Sequence, residues 1–147
     1  MKKVINLVLA VLTVGTLNAQ WTLRENGANK YTVTTEDDGA TAVLQNFDGK
    51  IGFWLSGQYY CDDSPETYVY LYKGKTKLFD KKFKTSIGNS NTSLYIDWDL
   101  GVDTVFMKAL LEAETLVVLV YESYCDDSSF GYKITNTKEA IEYLLKP

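Results

Sequence analysis

Histidine is absent from this sequence. That single omission removes every Ser-His-Asp and Cys-His catalytic arrangement, together with the commonest metal ligand. Cysteine is scarce: Cys61 and Cys125 are the whole complement, and they form no Cys-x-x-Cys. Each is followed by two aspartates, whose charge disfavours a thiolate, so a redox role has little support. Positive charge is also in short supply, with 15 basic against 19 acidic residues and a formal net charge of −4. Nonspecific binding to nucleic acid or anionic lipid needs clustered positive charge, and this balance opposes it. There is no Pro- or Gly-rich linker, and only the N-terminal apolar run is long enough to raise the question of a membrane.

That N-terminal stretch has the three parts of a secretory signal. Lys2 and Lys3 form a basic n-region, Val4 to Leu17 is nearly unbroken apolar sequence, and Asn18-Ala19-Gln20 offers a cleavage junction. The apolar run is short for a transmembrane span. The expected organisation is therefore a signal peptide over residues 1–19 and one β-rich domain over 20–147, exported to the periplasm or secreted, with no membrane span in the mature form. Without Lys2 and Lys3 the balance is 13 basic to 19 acidic residues, a net charge of −6.

Most of the remaining chain alternates apolar and polar residues at period two, with turn residues between the runs, as antiparallel strands with one buried face do. Strands are expected at Trp21–Leu23, Lys30–Thr35, Thr41–Phe47, Ile51–Ser56, Thr67–Lys73, Thr76–Thr85, Thr92–Trp98, Thr115–Tyr121 and Phe130–Thr135. Asp48-Gly49 is a hairpin signal between the third and fourth. Ser86 to Asn91 reads as a polar loop, and Leu116 to Val120 as a strand buried on both faces. After Gly101 the period changes. Asp103 or Thr104 caps a helix of about three turns whose apolar face is Val105, Phe106, Ala109, Leu110 and Ala113. Asn136 with Glu139 forms a capping-box-like start to a C-terminal helix with Ala140, Ile141, Leu144 and Leu145 inward. The fold class is mainly β: a small antiparallel β-sandwich or partly open barrel with two short helices.

One pentapeptide occurs twice, as Tyr60-Cys61-Asp62-Asp63-Ser64 and Tyr124-Cys125-Asp126-Asp127-Ser128. In an exported chain the two cysteines most simply form one disulfide, Cys61 to Cys125; two buried thiols or an intermolecular bridge are the alternatives. Such a bridge brings Asp62, Asp63, Asp126 and Asp127 near one another. Crowded carboxylates favour either full solvation or a bound cation such as calcium, although the calcium-loop ligand spacing is absent. No other cofactor is expected. Asp97 and Asp99, two apart on a strand, are the remaining pair for acid–base chemistry, and no substrate-binding signature accompanies them. The chain is expected not to be an enzyme.

Tyr68, Tyr70 and Tyr72 share one side of a strand. An exposed row of this kind suits a sugar or a partner protein, whereas tyrosines alternating with Val and Leu are more often half of a sandwich core or an amphipathic outer face. Lys73, Lys75, Lys77, Lys81, Lys82 and Lys84 form the one basic cluster; lysines along a strand mostly guard a sheet edge, and a docking patch for an acidic partner is the minority reading.

The segments Phe106-Met107-Lys108-Ala109-Leu110-Leu111, Glu114 to Val120 and Gly131 to Ile141, with Trp21 opening the domain and Cys61 closing an early strand, carry a resemblance. Their order of helix, apolar strand, strand and helix with an Ala-aliphatic pair resembles small periplasmic accessory proteins associated with type VI secretion. The resemblance implies a β-sandwich accessory protein and brings no catalytic residues. The functional expectation is a non-enzymatic exported domain for protein binding or envelope assembly, with an unknown protein partner in the cell envelope. A cation- or small-ligand-binding protein using the aspartate pairs, or a periplasmic hydrolase inhibitor, is the alternative.

Overall fold

The alternating segments become strands in a computed structural model that describes residues 21–26, 29–35, 39–101 and 103–147. In chain order these are β1 (Thr22–Asn26), β2 (Asn29–Thr35), β3 (Thr41–Phe47), β4 (Lys50–Ser56), β5 (Glu66–Lys73), β6 (Thr76–Lys84), β7 (Ser86–Gly88) and β8 (Ser93–Leu100). Helix α1 (Val105–Glu112), β9 (Thr115–Tyr121), β10 (Ser128–Lys133) and helix α2 (Thr137–Leu145) follow. One antiparallel sheet has the order β1-β2-β3-β4-β8-β7 and the other β10-β9-β5-β6. Neither closes on itself: there is no closed barrel, and the two antiparallel sheets with two helices are consistent with a small β-sandwich, as expected. The expected signal segment and the turn residues Gly27, Ala28 and Glu36 to Asp38 lie outside the described residues.

Local chemistry explains the two-residue connection between β3 and β4. Asp48 and Gly49 both take positive φ, 51° and 86°, the geometry that twists a two-residue hairpin in the same sense as its strands. Phe47 thereby faces Lys50, and the register runs unbroken to Thr41 opposite Ser56.

The core lies between the sheets. Leu44, Phe53, Leu55, Leu94 and Ile96 enter it from the six-stranded sheet, and Val69, Leu71, Leu116, Val118 and Val120 from the other. Phe106 of α1 ties the two layers together: its ring is 5.8 Å from Phe53 on β4, 5.1 Å from Phe79 and 5.9 Å from Phe83 on β6. Helix α1 lies against β5 and β6, and α2 against β1, β2 and β3.

Several expectations need correction. Ser86 to Gly88 is a strand, β7, because it finds a long-range partner in β8; the loop is confined to 89–92, where Asn89, Ser90 and Asn91 all take positive φ. Thr104 is the N-cap of α1 as expected, its hydroxyl accepting from the Met107 N–H, but the helix has only eight residues. Val105 is 73% exposed and Met107 is buried, so the helical face is rotated by one position from the expected one. Leu145, expected inward on α2, is 41% exposed.

The expected capping box at Asn136 does not form. Asn136 has φ 52° and makes no side-chain cap bond. Its amide instead grips the other end of the domain: Oδ1 accepts from Trp21 N–H (3.0 Å) and Nδ2 donates to the Trp21 carbonyl (3.2 Å). The Trp21 indole then donates to Thr137 Oγ1 at 3.0 Å, within a buried contact. A side-chain amide that mimics a strand partner offsets the lost cap, because it satisfies two main-chain groups at once.

Candidate functional site

Strand pairing brings the twin motifs together. The first leads into β5 and the second follows β9, and these strands are antiparallel neighbours with Glu66 opposite Tyr121 at one end. Both motifs therefore emerge from the same end of the ladder. Cys61 and Cys125 are disulfide-bonded there, with Cα atoms 6.0 Å apart, within the ordinary range for a bridge. The disulfide expectation is met.

Around the bridge, carboxylates act as acceptors for main-chain groups. Glu122 Oε1 accepts from the N–H of Cys61 (2.6 Å) and of Asp62 (3.2 Å). Asp62 Oδ2 returns the contact by accepting from Ser123 N–H at 2.6 Å, while its Oδ1 is buried without a partner among the described residues. Asp127 Oδ1 accepts from Glu122 N–H at 3.3 Å. Asp63 and Asp126 are exposed. The four motif aspartates thus share one pole of the domain, with two of them engaged in stitching the loops.

Glu122 is the residue sequence reasoning missed. Its one signal was position, between an apolar strand and the second motif, and its partners lie about 60 residues away. Its carboxylate and the sulfurs of Cys61 and Cys125 lie within 4.8 Å of one another. With the sulfurs bonded to each other, only the carboxylate is offered to a cation there. At this pole the carboxylates hold the two loops together.

The two copies of the pentapeptide do different work. Tyr60 is fully buried in the core, whereas Tyr124 is 86% exposed. Ser64 donates to the Thr85 carbonyl (2.7 Å), and the Thr85 hydroxyl donates to the Pro65 carbonyl (2.6 Å), which fixes the first motif to the β6–β7 junction. Ser128 opens β10.

A second candidate surface is the outward side of the four-stranded sheet. Tyr68, Tyr70 and Tyr72 alternate with the fully buried Val69 and Leu71, so the row faces away from the core. Together with Tyr121 these tyrosines pack over Val117 and Leu119 of β9, forming a small apolar cluster separate from the core. This cover explains why β9 is buried on both faces. Tyr68 and Tyr121 meet edge to face at 5.6 Å, a favourable aromatic arrangement.

Two ion pairs lie on the same face. Glu66 accepts from the Tyr68 hydroxyl (3.1 Å) and forms an ion pair with Lys82; Lys77 pairs with Asp80. The Lys82 ammonium, and after it the Tyr68 hydroxyl, hold the Glu66 carboxyl below its ordinary value. Burial first, then neighbouring negative character, pushes the Tyr70 hydroxyl up; burial does the same for Tyr72. These phenols stay neutral at physiological pH and act as hydrogen-bonding groups.

The lysine cluster lies where the edge reading put it. Lys77, Lys81, Lys82 and Lys84 belong to β6, one of the two edge strands of its sheet. Lys81 stands opposite the core-facing Val69, yet it is exposed, with its ammonium 4.9 Å from the Phe83 ring centre. An inward-side lysine of this kind blocks a further strand from adding.

Asp97 is half-buried on β8, and the Asp99 side chain lies outside the described residues. A shallow groove of about 540 Å³ between the β3–β4 turn and the start of α1 is lined by Lys50, Ile51, Leu100, Thr104 and Leu145 among others, none of them a candidate site residue from the sequence. No helix among the described residues is long and apolar enough to cross a membrane. No family model, curated protein or solved structure matches this chain.

Proposed function

We propose that the chain is an exported, non-enzymatic β domain that acts by binding a component of the cell envelope during its assembly or upkeep. The observation that carries this reading is the tyrosine face, where four large aromatic side chains gather outside the core over Val117 and Leu119. Strands with one solvated face normally carry polar residues there. Half-buried tyrosines instead present an apolar body and a polar tip, a composition enriched at binding surfaces. The Cys61–Cys125 disulfide is compatible with an oxidising compartment. The order α1, β9, β10, α2 is also the order on which the resemblance to periplasmic secretion accessory proteins rests. With no histidine in the chain, acid–base chemistry falls to carboxylates, and Asp62, Glu122 and Asp127 are committed to main-chain N–H groups.

The test is capture from envelope extract by the oxidised, immobilised chain, compared with its Tyr68→Ala/Tyr70→Ala variant. A component held by the parent and lost by the folded variant supports the reading. Identical capture by both, or no capture by either, overturns it.

A further inference from the structure

Resting on that reading, we infer that the tyrosine face binds a neutral, unbranched polysaccharide chain laid along β5. Three features of the face select this ligand over a protein surface or a charged polymer.

Layout comes first. Tyr68, Tyr70 and Tyr72 stand on one side of β5 at successive intervals of about 7 Å, the two-residue repeat of a strand. Strand β5 is hydrogen-bonded on both sides, to β6 and β9, so the rings are presented on a fixed backbone and little order has to be gained on binding. A linear row of rigid rings suits a linear ligand with a repeating apolar face. Sugar rings have such a face of C–H groups with hydroxyls at the rim, matching the apolar body and polar tip of tyrosine. An extended peptide, by contrast, joins a sheet through its edge, and β6 is guarded there by Lys81.

Size comes second. A four-stranded face of strands about seven residues long covers roughly 450 Å². That flat footprint is adequate for a few sugar rings, whereas a protein partner would have to extend onto the surrounding loops to reach a standard interface.

Charge comes third. Lys82 is paired with Glu66 and Lys77 with Asp80, and the exposed Lys84 opposite Glu66 adds a single further charge, less than the clustered charge that holds a polyanion. The four paired side chains, with the phenol hydroxyls, supply donors and acceptors in alternation, as sugar hydroxyls require.

The experiment uses the oxidised full chain with two probes, linear hexamers of β-linked glucose and of β-linked N-acetylglucosamine, and two comparators, a heparin fragment and a proline-rich decapeptide. Saturation-transfer NMR is expected to pass magnetisation from tyrosine ring protons to at least one hexamer. Tyr70→Ala and Tyr72→Ala, each checked for retained melting temperature, are expected to weaken binding about tenfold, and Tyr124→Ala to leave it unchanged. The inference is overturned by no transfer to either hexamer, by binding that survives both tyrosine variants, or by preference for the heparin fragment or the peptide. If the hexamers fail while Tyr68→Ala/Tyr70→Ala still abolishes capture of an envelope protein, the polysaccharide inference falls and the broader binding reading stands.

Discussion

Replacing Cys61 and Cys125 by serine opens a covalent loop whose ends are 64 residues apart. In the chain-entropy description this returns to the unfolded chain freedom worth about 4 kcal/mol at 25 °C. The folded state changes little, because Glu122 and Asp62 still stitch the two loops and the β5–β9 ladder still sets their separation. The loss should therefore fall almost wholly on the unfolded side. For a domain of roughly 130 residues it corresponds to a fall in melting temperature of about 15 °C. In urea the midpoint should drop by about 2 M, and the slope should rise because the released chain exposes more surface. Matched urea and thermal unfolding of parent, Cys61→Ser and the double variant is the assay, and the single and double variants should coincide. A midpoint shift under about 0.5 M with an unchanged slope would refute the reasoning, since it would place the constraint outside the unfolded ensemble.

Three further outcomes are expected. Tyr60 is buried with a hydroxyl that has no hydrogen-bond partner among the described residues, and burial, followed by the Glu122 charge, raises its pKa above the ordinary 10.0. Because the folded value exceeds the unfolded one, the contribution of the neutral phenol is intact below pH 10 and is lost as pH climbs beyond it. Tyr60→Phe should thus add about 1 kcal/mol at pH 7 and flatten the decline above pH 10; equal urea midpoints for both proteins across that range would count against it. Asn136→Gly should cost roughly 2 kcal/mol by releasing Trp21, and Asn136→Ala about 1 kcal/mol more, because alanine must also bear the positive φ; calorimetry giving equal losses would remove the strain argument. Lys81→Ile should make the β6 edge adhesive and yield concentration-dependent association by light scattering, whereas Lys75→Ile in the preceding turn should remain monodisperse.

How much was legible in the sequence depended on how far each residue's partners lie along the chain. The Asp48-Gly49 hairpin, the Thr104 cap and the doubly buried β9 were readable because turn chemistry, capping and apolar runs are local. Ser86 to Gly88 looked like loop because nothing nearby reveals that β8 will supply its hydrogen bonds. Asn136 followed by Glu139 carried a local capping signal, and a contact 115 residues distant overrode it. The cysteine pairing followed from there being only two, whereas Glu122 went unseen because a lone acid after a strand is ordinary until its partners are known. The tyrosine row was placed on one side of its strand correctly. Which way that side faced depended on how β9 packs beneath it.

The bridge also changes what a break in the chain means. The exposed turn at Asn89 and Ser90 lies between Cys61 and Cys125, and three consecutive residues there, Asn89 to Asn91, take positive φ. A protease that cuts there produces two fragments that remain one molecule, joined through sulfur and through every strand pairing that spans the cut, such as β4 with β8 and β5 with β9. Nicked protein would run as intact on a gel until a reducing agent is added. Severing the backbone there would leave the two pieces joined by a covalent bond and by the sheets that both pieces share.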